Sequence, residues 1–410
     1  MKQIILTDPV NGEYQYPKTF DYAFPSYDKD EKQRIYGLLK AHLGKQIAIY
    51  GFNTDQHTSL TELKVVNGLK GLAELTTDLP FNAIFLGGDE DAYTNPNGIE
   101  MPLRVRNALK GASCPIFAVA GNHDAMDESY NGNFGYNLKI RQNDVLGILG
   151  YSDKTSTNAW WDDHAAKLRV VFLDNMWTNY SANDPAVIAC INSAFADVPS
   201  GYKVIVISHV IAKPTSGYEK SLGTTNYNAL LAASNNSGVR IIANFCGHEH
   251  FDKQIVADNI LMINTTCSGQ IYTKADFDGV RRTGVPGSVT ETAQDIIVID
   301  FTNSRIYMYR WGIGADRVFS FAEGNIGVIW QTISGTLTSL DENIPVTGLT
   351  ISVSNGHITR TATAANDGTY NINYIAPDHV WNYKILNGAD VLYNEDIDVG
   401  FADIVKDIQI

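Results

Sequence analysis

Five short polar clusters stand out in this chain: Asp55-Gln56-His57, Gly88-Asp89, Gly121-Asn122-His123-Asp124, Ser208-His209 and Gly247-His248-Glu249-His250. Asp, Asn and His offer oxygen and nitrogen donors, and no thiol is among them. Such a set suits hard to borderline divalent cations. Five of the nine histidines lie in these clusters. In the Asp-x-His and His-x-His spacings, residues two apart on an extended backbone point to the same side, so both can face one ion. Glycines precede Asp89, Asn122 and His248, where the backbone must turn sharply and approach its neighbours closely. A lone Gly-Asp or a single histidine says little, because short motifs recur by chance. The ordered set of five carries the reading.

Each cluster directly follows an apolar run of strand length. Strands are expected at 46–52, 83–86, 116–120, 168–173, 203–208, 241–245 and 260–264. Helical patterns occupy 31–43, 60–75 and 184–197, the last with Asn183 or Asp184 as its cap and Pro185 in its first turn. Alternating strands and helices argue an α/β layered fold with buried strands. Loops at the carboxyl ends of such strands converge on one crevice, so separate strands deliver the donors to one place. Residues 295–301 and 305–311 read as a hairpin turning at Thr302-Asn303-Ser304.

The five blocks, in this order, resemble the calcineurin-like metallophosphoesterases, over about residues 46 to 322. The resemblance implies a four-layer αββα sandwich, two packed sheets flanked by helices, with a dinuclear metal centre at the strand ends. It implies that Asp55, His57 and His250 hold one ion, that Asn122, His209 and His248 hold the other, and that Asp89 bridges them. His123 would meet the substrate and protonate the leaving oxygen as a general acid. The reaction would be phosphoester hydrolysis by in-line attack of metal-bound hydroxide, with charge offset by both ions, Asn122 and His123. The ions would be Mn, Fe or Zn, with Mn favoured. One departure stands out: where the protein-phosphatase branch has an Asp three residues after the bridging Asp, this chain has Ala92. Asp124 or Asp91 would then orient His123. The Gly-Asp-x-x-Asp-Arg signature of that branch is also absent, which counts against phosphoproteins and favours phosphomonoesters or phosphodiesters.

The chain has 410 residues, 44% of them hydrophobic, with 31 Lys and Arg against 45 Asp and Glu, a net charge of −14. This composition excludes a mainly disordered protein, a coiled coil and a collagen-like fibre. No apolar run reaches the 18 or so residues of a membrane-spanning helix. The negative charge counts against long nucleic acid as a partner. It leaves room for a phosphorylated small molecule or an envelope phosphodiester, because bound dications reverse the field locally. Ile4-Ile5-Leu6 is too short for a signal-peptide core, so a cytoplasmic or virion-associated location is expected. The four cysteines form no CxxC pair and read as buried thiols.

Three flanking features complete the expectation. Residues 1–45 read as an aromatic-rich arm with a short helix, able to pack on the body, a second copy or a virion partner. The insert 125–167 holds Trp160 and Trp161; either part of it roofs the metal crevice and contacts the non-phosphate half of the substrate, or its aromatics pack into a secondary core. Beyond residue 328 the pattern turns to strand alternation, with Asn355-Gly356 as a hairpin turn. That region resembles the carboxypeptidase-regulatory-like β-sandwich in Ser334-Gly335-Thr336-Leu337, Pro345-Val346-Thr347-Gly348 and Asn366-Asp367-Gly368-Thr369-Tyr370. Residues 306–317 resemble the closing hairpin of metallophosphoesterases from phage tail regions and gut bacteria, with Asp316 and Arg317 as a structural ion pair. The expected organisation is an arm at 1–45, a metallophosphoesterase domain at 46–325 and an accessory β-domain at 328–410. Two rival readings are an attachment or structural protein that uses the body as a scaffold, and a metal-dependent nuclease or nucleotidase.

Overall fold

A computed structural model describes residues 26–57, 64–90, 100–125, 157–175, 181–216, 220–266, 268–269, 285, 288–341, 343–356 and 358–410. Ala92, Asp91, most of the 125–167 insert and the aromatic arm before Ser26 lie outside the described residues. The chain divides into two compact units. One holds the described residues up to Ile313 with Phe321–Gly327, and the other holds Gly314–Ser320 with Val328–Ile410.

Two sheets carry the described strands between Ile47 and Ile329. In chain order the strands are β1 (Ile47–Asn53), β2 (Ala83–Leu86), β3 (Ile116–Ala118), β4 (Ala159–Asp163), β5 (Leu168–Leu173), β6 (Lys203–Ser208), β7 (Ile241–Cys246), β8 (Lys253–Ala257), β9 (Ile260–Asn264), β10 (Ala293–Asp300), β11 (Arg305–Gly312), β12 (Arg317–Ala322) and β13 (Asn325–Ile329). One sheet runs β13-β12-β11-β10-β1-β2-β3 and the other β4-β5-β6-β7-β9-β8. β1, β2 and β3 are parallel, as are β5, β6, β7 and β9. The parallel strands are continuous apolar runs because both of their faces are covered.

The inner faces meet through aromatic rings. Phe85 and Phe172 stand 5.9 Å apart, Phe117 and Phe172 5.2 Å, and Phe52 and Phe245 6.1 Å, centroid to centroid. Tyr50 donates its hydroxyl across the same gap to Asp163 at 2.7 Å. Outside the first sheet lie α1 (Ser26–Lys40), against β11, and α2 (Lys64–Asp78), against β10, with α3 (Glu100–Leu109) beside α2. α4 (Asn122–Ala125) is a single turn at the end of β3. Outside the second sheet lies α5 (Pro185–Ala196), against β4 and β5, with α6 (Thr224–Ser237) beside it. The four-layer αββα order expected from the sequence is thus present. Asp184 caps α5 by accepting from the Ala186 N–H at 2.8 Å, and Pro185 needs no partner in the first turn.

α1 docks through a buried acid. Asp28, 2% exposed, accepts from Trp311 Nε1 at 3.3 Å. Burial pushes its pKa up to about 6 from 3.8, against the Trp311 bond, with Glu291 and Glu31 adding repulsion. The folded state therefore holds this proton more tightly than the unfolded chain does. Asp28 destabilises the fold above pH 6, and the penalty fades as pH falls toward 3.8. Asp28→Asn should stabilise the protein by about 1–3 kcal/mol at pH 8 and by almost nothing at pH 4, read by urea unfolding at both values.

The second unit is all strand: β14 (Gln331–Thr338), β15 (Thr350–Ser354), β16 (Thr359–Thr363), β17 (Thr369–Ile375), β18 (His379–Asn387), β19 (Asp390–Val399), β20 (Ile404–Val405) and β21 (Ile408–Gln409). They form a β17-β14-β20 sheet, with β21 also on β14, and a β16-β15-β18-β19 sheet. Ile333, Leu337, Ile351, Val353, Ile372, Trp381 and Tyr383 share one buried core between them. Asn355-Gly356 sits in the β15–β16 turn, with Gly356 at φ +83°. Asp316 meets His379 Nε2 at 3.0 Å within this unit.

Candidate metal centre

The clusters follow the carboxyl ends of β1, β2 and β3 in one sheet and of β6 and β7 in the other. The loops are laced together by their own backbone. The Asp55 N–H donates to Gly88 O at 2.9 Å, the His57 N–H to Asp89 O at 3.1 Å, and the Gly247 N–H to His209 O at 2.9 Å. Two glycines are required by close approach. A Cβ on Gly121 would stand 2.0 Å from Asp89 Oδ1, and one on Gly247 would stand 2.1 Å from Asp55 Oδ2.

The side chains gather in two groups, Asp55 with His57, Asp89 and His250, and Asp89 with His209 and His248; within each, one donor atom per residue lies within 4.8 Å of all the others. His57 Nε2 and His250 Nε2 are 3.0 Å apart, and His250 Nε2 is 3.1 Å from Asp55 Oδ1. On the other side His209 Nε2 lies 3.2 Å from Asp89 Oδ2 and 3.0 Å from Asn122 Oδ1, and His248 Nδ1 is also 3.0 Å from Asn122 Oδ1. Asp89 alone belongs to both groups. Nitrogen and oxygen donors about 2.1 Å from a common centre stand about 3.0 Å apart at octahedral angles and about 3.4 Å apart at tetrahedral ones, so these spacings fit a divalent cation. So does the charge, because Asp55 and Asp89 are buried carboxylates facing imidazoles.

The expectation that Asp-x-His and His-x-His present both members from extended backbone needs correction. Asp55, His57, Asp89, His248 and His250 have φ of +53°, +40°, +59°, +71° and +58°. Left-handed backbone fans neighbouring side chains apart. Asp55 and His57 stay together, whereas His248 and His250 enter different groups. Each such non-glycine position costs of order 1–3 kcal/mol and is held by its surroundings.

Electrostatics follow from burial. Burial opposes ionisation of Asp55, but His250, His57 and His209 outweigh it and hold the carboxyl well below the usual range. Asp89 is likewise lowered against its burial, chiefly by His209 and His123. His209 is pushed up to about 10 in spite of burial, mainly by Asp89, and its Nδ1–H donates to Gly87 O at 2.9 Å. His248 is pushed down to about 4 by burial and by His209. His123 sits at the rim, with its side chain 24% exposed, Nε2 3.8 Å from Asp89 Oδ2 and its ring edge-on to His57 at 4.4 Å. Burial pushes it down to about 3, against the pull of Asp89.

Asp124 is brought to the centre as a loop clamp. Its Oδ2 accepts from the Asp89 N–H at 2.8 Å and the Gly121 N–H at 2.9 Å. It joins the bridging loop to the Asn122-His123 loop. Buried Glu90 lies against it, and burial, then the Asp124 charge, pushes the Glu90 carboxyl well up.

Trp160 and Trp161 do not join the cluster. They lie on β4, opposite Val171 and Val170 and below the strand ends that carry the donors. Alternation sends the two rings to opposite faces. Trp161 packs on Phe117 between the sheets at 4.8 Å, and Trp160 packs on the α5 side with Arg169 over its ring. Of the two expectations for these rings, packing within the fold is the one their contacts show. Trp161→Ala should destabilise the protein by about 3 kcal/mol while leaving kcat and KM within about twofold, checked by denaturant melts beside steady-state kinetics.

Several supporting residues carry no local sequence signal. Gln56, fully buried, donates to Asn53 Oδ1 at 2.7 Å, and Ser268 donates to the same oxygen at 3.1 Å. Thr157 accepts from the Ala120 N–H at 3.0 Å and donates to Asp174 at 2.7 Å, fixing the strand end that precedes Asn122. Arg310 pairs with Asp295 and Asp252 beneath the His248–His250 loop.

Residues 54–252 match the calcineurin-like phosphoesterase family. No curated protein matches the sequence. Among solved structures, the chain is similar to a dimetal phosphatase from Danio rerio, with 13% identity, coverage of 67% of this chain and 99% of that one, and a TM-score of 0.46. It is also similar to a purple acid phosphatase from yellow lupin (Lupinus luteus) seeds, with 11% identity, coverage of 69% and 53%, and a TM-score of 0.45. A third is an anchor protein of the Plasmodium inner membrane complex, with 15% identity, coverage of 68% and 86%, and a TM-score of 0.39.

Proposed function

Taking residues 54–252 as a calcineurin-like metallophosphoesterase domain, we propose that this protein is a dinuclear-metal hydrolase of phosphomonoesters or phosphodiesters. The observation that carries the reading is the shared carboxylate: among the described residues, Asp89 is the one that belongs to both donor groups. In this reading Asp55, His57, Asp89 and His250 hold one divalent ion, and Asp89, Asn122, His209 and His248 hold the other. Ions bound there would polarise the phosphoryl oxygens and lower the pKa of a bound water toward about 7.

The chain's own groups do the rest. Asn122 holds its amide between His209 and His248, beside the place where phosphoryl oxygens would lie. His123 stands at the open edge, where a leaving oxygen would depart. Burial keeps its imidazole neutral in the free protein, so the negative charge of a bound phosphoester must help restore the proton that it then donates. Asp124 acts through the loops it ties, as a positioning residue. Thr54 donates to Asp55 Oδ2 at 2.8 Å, the His248 N–H is shared between Oδ2 at 2.9 Å and Oδ1 at 3.1 Å, and Oδ1 also stands 3.1 Å from His250 Nε2.

The test is a substrate panel with Mn²⁺: bis-p-nitrophenyl phosphate, p-nitrophenyl phosphate, nucleotides and DNA. Turnover of at least one small phosphoester that is lost on chelation and restored by Mn²⁺ supports the reading. No turnover on any of them by protein shown to hold two ions would sink it in favour of an attachment role. Preference for DNA would favour the nuclease alternative, against which the net charge of −14 argues.

A further inference from the structure

The loop that follows β7 delivers two histidines to two different donor groups, and both sit in left-handed backbone. Something must hold this loop at fixed height between the sheets. His248 is held from the first sheet, because its N–H donates to Asp55. His250 is held otherwise: its carbonyl accepts from Thr266 Oγ1 at 3.1 Å. Two residues further on, Asp252 Oδ1 accepts from the Thr266 N–H at 2.9 Å, Thr265 Oγ1 at 3.2 Å and Arg310 Nη2 at 2.7 Å. Arg310 lies on β11, directly across from Asp295 on β10. Its Nε donates to Asp295 Oδ1 at 2.9 Å and its Nη1 to Ile313 O at 2.8 Å. Arg310 and Asp295 are fully buried and Asp252 is 2% exposed. One planar guanidinium thus spans from the first sheet to the His250 loop of the second.

We infer that the Asp295–Arg310–Asp252 bridge is a positioning device for His250, setting occupancy of the Asp55/His57/His250 ion site without touching an ion or the substrate. The inference rests on the dinuclear reading above. The geometry gives it direction. The bridge ends on the segment that holds the His250 carbonyl, whereas His248 has its own tether to Asp55. Disturbing the bridge should therefore uncouple the two ion sites rather than weaken both alike. A plain stabilising ion pair would show no such asymmetry. Lysine cannot replace arginine here, because a point charge does not reproduce three directed bonds to Asp295, Asp252 and Ile313.

The experiment titrates the metal-free 410-residue chain with Mn²⁺ by calorimetry, with elemental analysis of the loaded protein, for wild type, Arg310→Lys and Thr266→Val. Thr266→Val removes only the hydroxyl beneath His250 and leaves Arg310 paired, so it keeps the test valid if Arg310→Lys fails to fold. Wild type should take up two equivalents. The variants should bind one equivalent at wild-type affinity and the other 10–100-fold more weakly, with metal-free Thr266→Val melting within a few degrees of wild type. Two equivalents at wild-type affinity in Thr266→Val, or equal weakening of both, overturns the inference. A wild type that binds fewer than two ions defeats the dinuclear reading itself and the inference with it.

Discussion

Asp89→Asn should reduce turnover by at least about 10³-fold, a loss near 4 kcal/mol in transition-state stabilisation, and should lower the bound Mn²⁺ from two equivalents to one or none. Asp89 is the residue common to both donor groups. Its carboxylate is buried, and its Oδ2 stands 3.2 Å from His209 Nε2 and 3.6 Å from His57 Nε2. Asparagine keeps the shape but offers a neutral oxygen and an amide, and one face then presents donors of the wrong sign to a cation. The Asp89 N–H bond to Asp124 is a backbone contact and survives the change. The His123 N–H bond to Asp89 Oδ1 at 2.8 Å survives if the amide oxygen takes that side. The fold should therefore persist, with a far-ultraviolet spectrum like wild type. Wild-type rates in this variant, measured with elemental analysis on the same sample, would remove the assignment of the site.

His123→Ala separates proton delivery from ion binding. The ring lies at the rim, outside both donor groups. The variant should keep both ions and lose about 10²–10⁴-fold in kcat on alkyl phosphoesters, whose alkoxide leaves poorly without a proton. On p-nitrophenyl esters, whose phenolate leaves unaided, the loss should stay within about tenfold. A uniform loss on both ester types would assign His123 to phosphoryl binding. Loss of an ion from the variant would make it a ligand.

Much of this site is legible from residue type and position alone. Asp, Asn and His after apolar runs give the donor set, and strand polarity gives the convergence. β2, β5, β6 and β9 fall where their apolar runs fall, because a strand covered on both faces must be apolar throughout. Other parts leave no such trace. β8 is half-exposed at an edge and turns into β9 through Asp258 and Asn259 at positive φ, without the Asn-Gly signal. α6 buries only Asn226, Tyr227 and Leu230, too few to set a helical period. The tryptophans of β4 stay ambiguous in the sequence because a short strand beside charged residues resembles an aromatic loop. Arg310 can be read only in part: the expected hairpin places it across from Asp295, 15 residues away, but Asp252 lies 58 residues away, and only the packing of two sheets brings it in.

The five donors held at positive φ bear on what this body is for. At about 1 kcal/mol apiece their backbone strain sums to about 5 kcal/mol, the same order as the net stability of a whole domain. In the dinuclear reading, bonds to two ions would offset that burden, so that loading of the centre and folding of this body are one linked equilibrium.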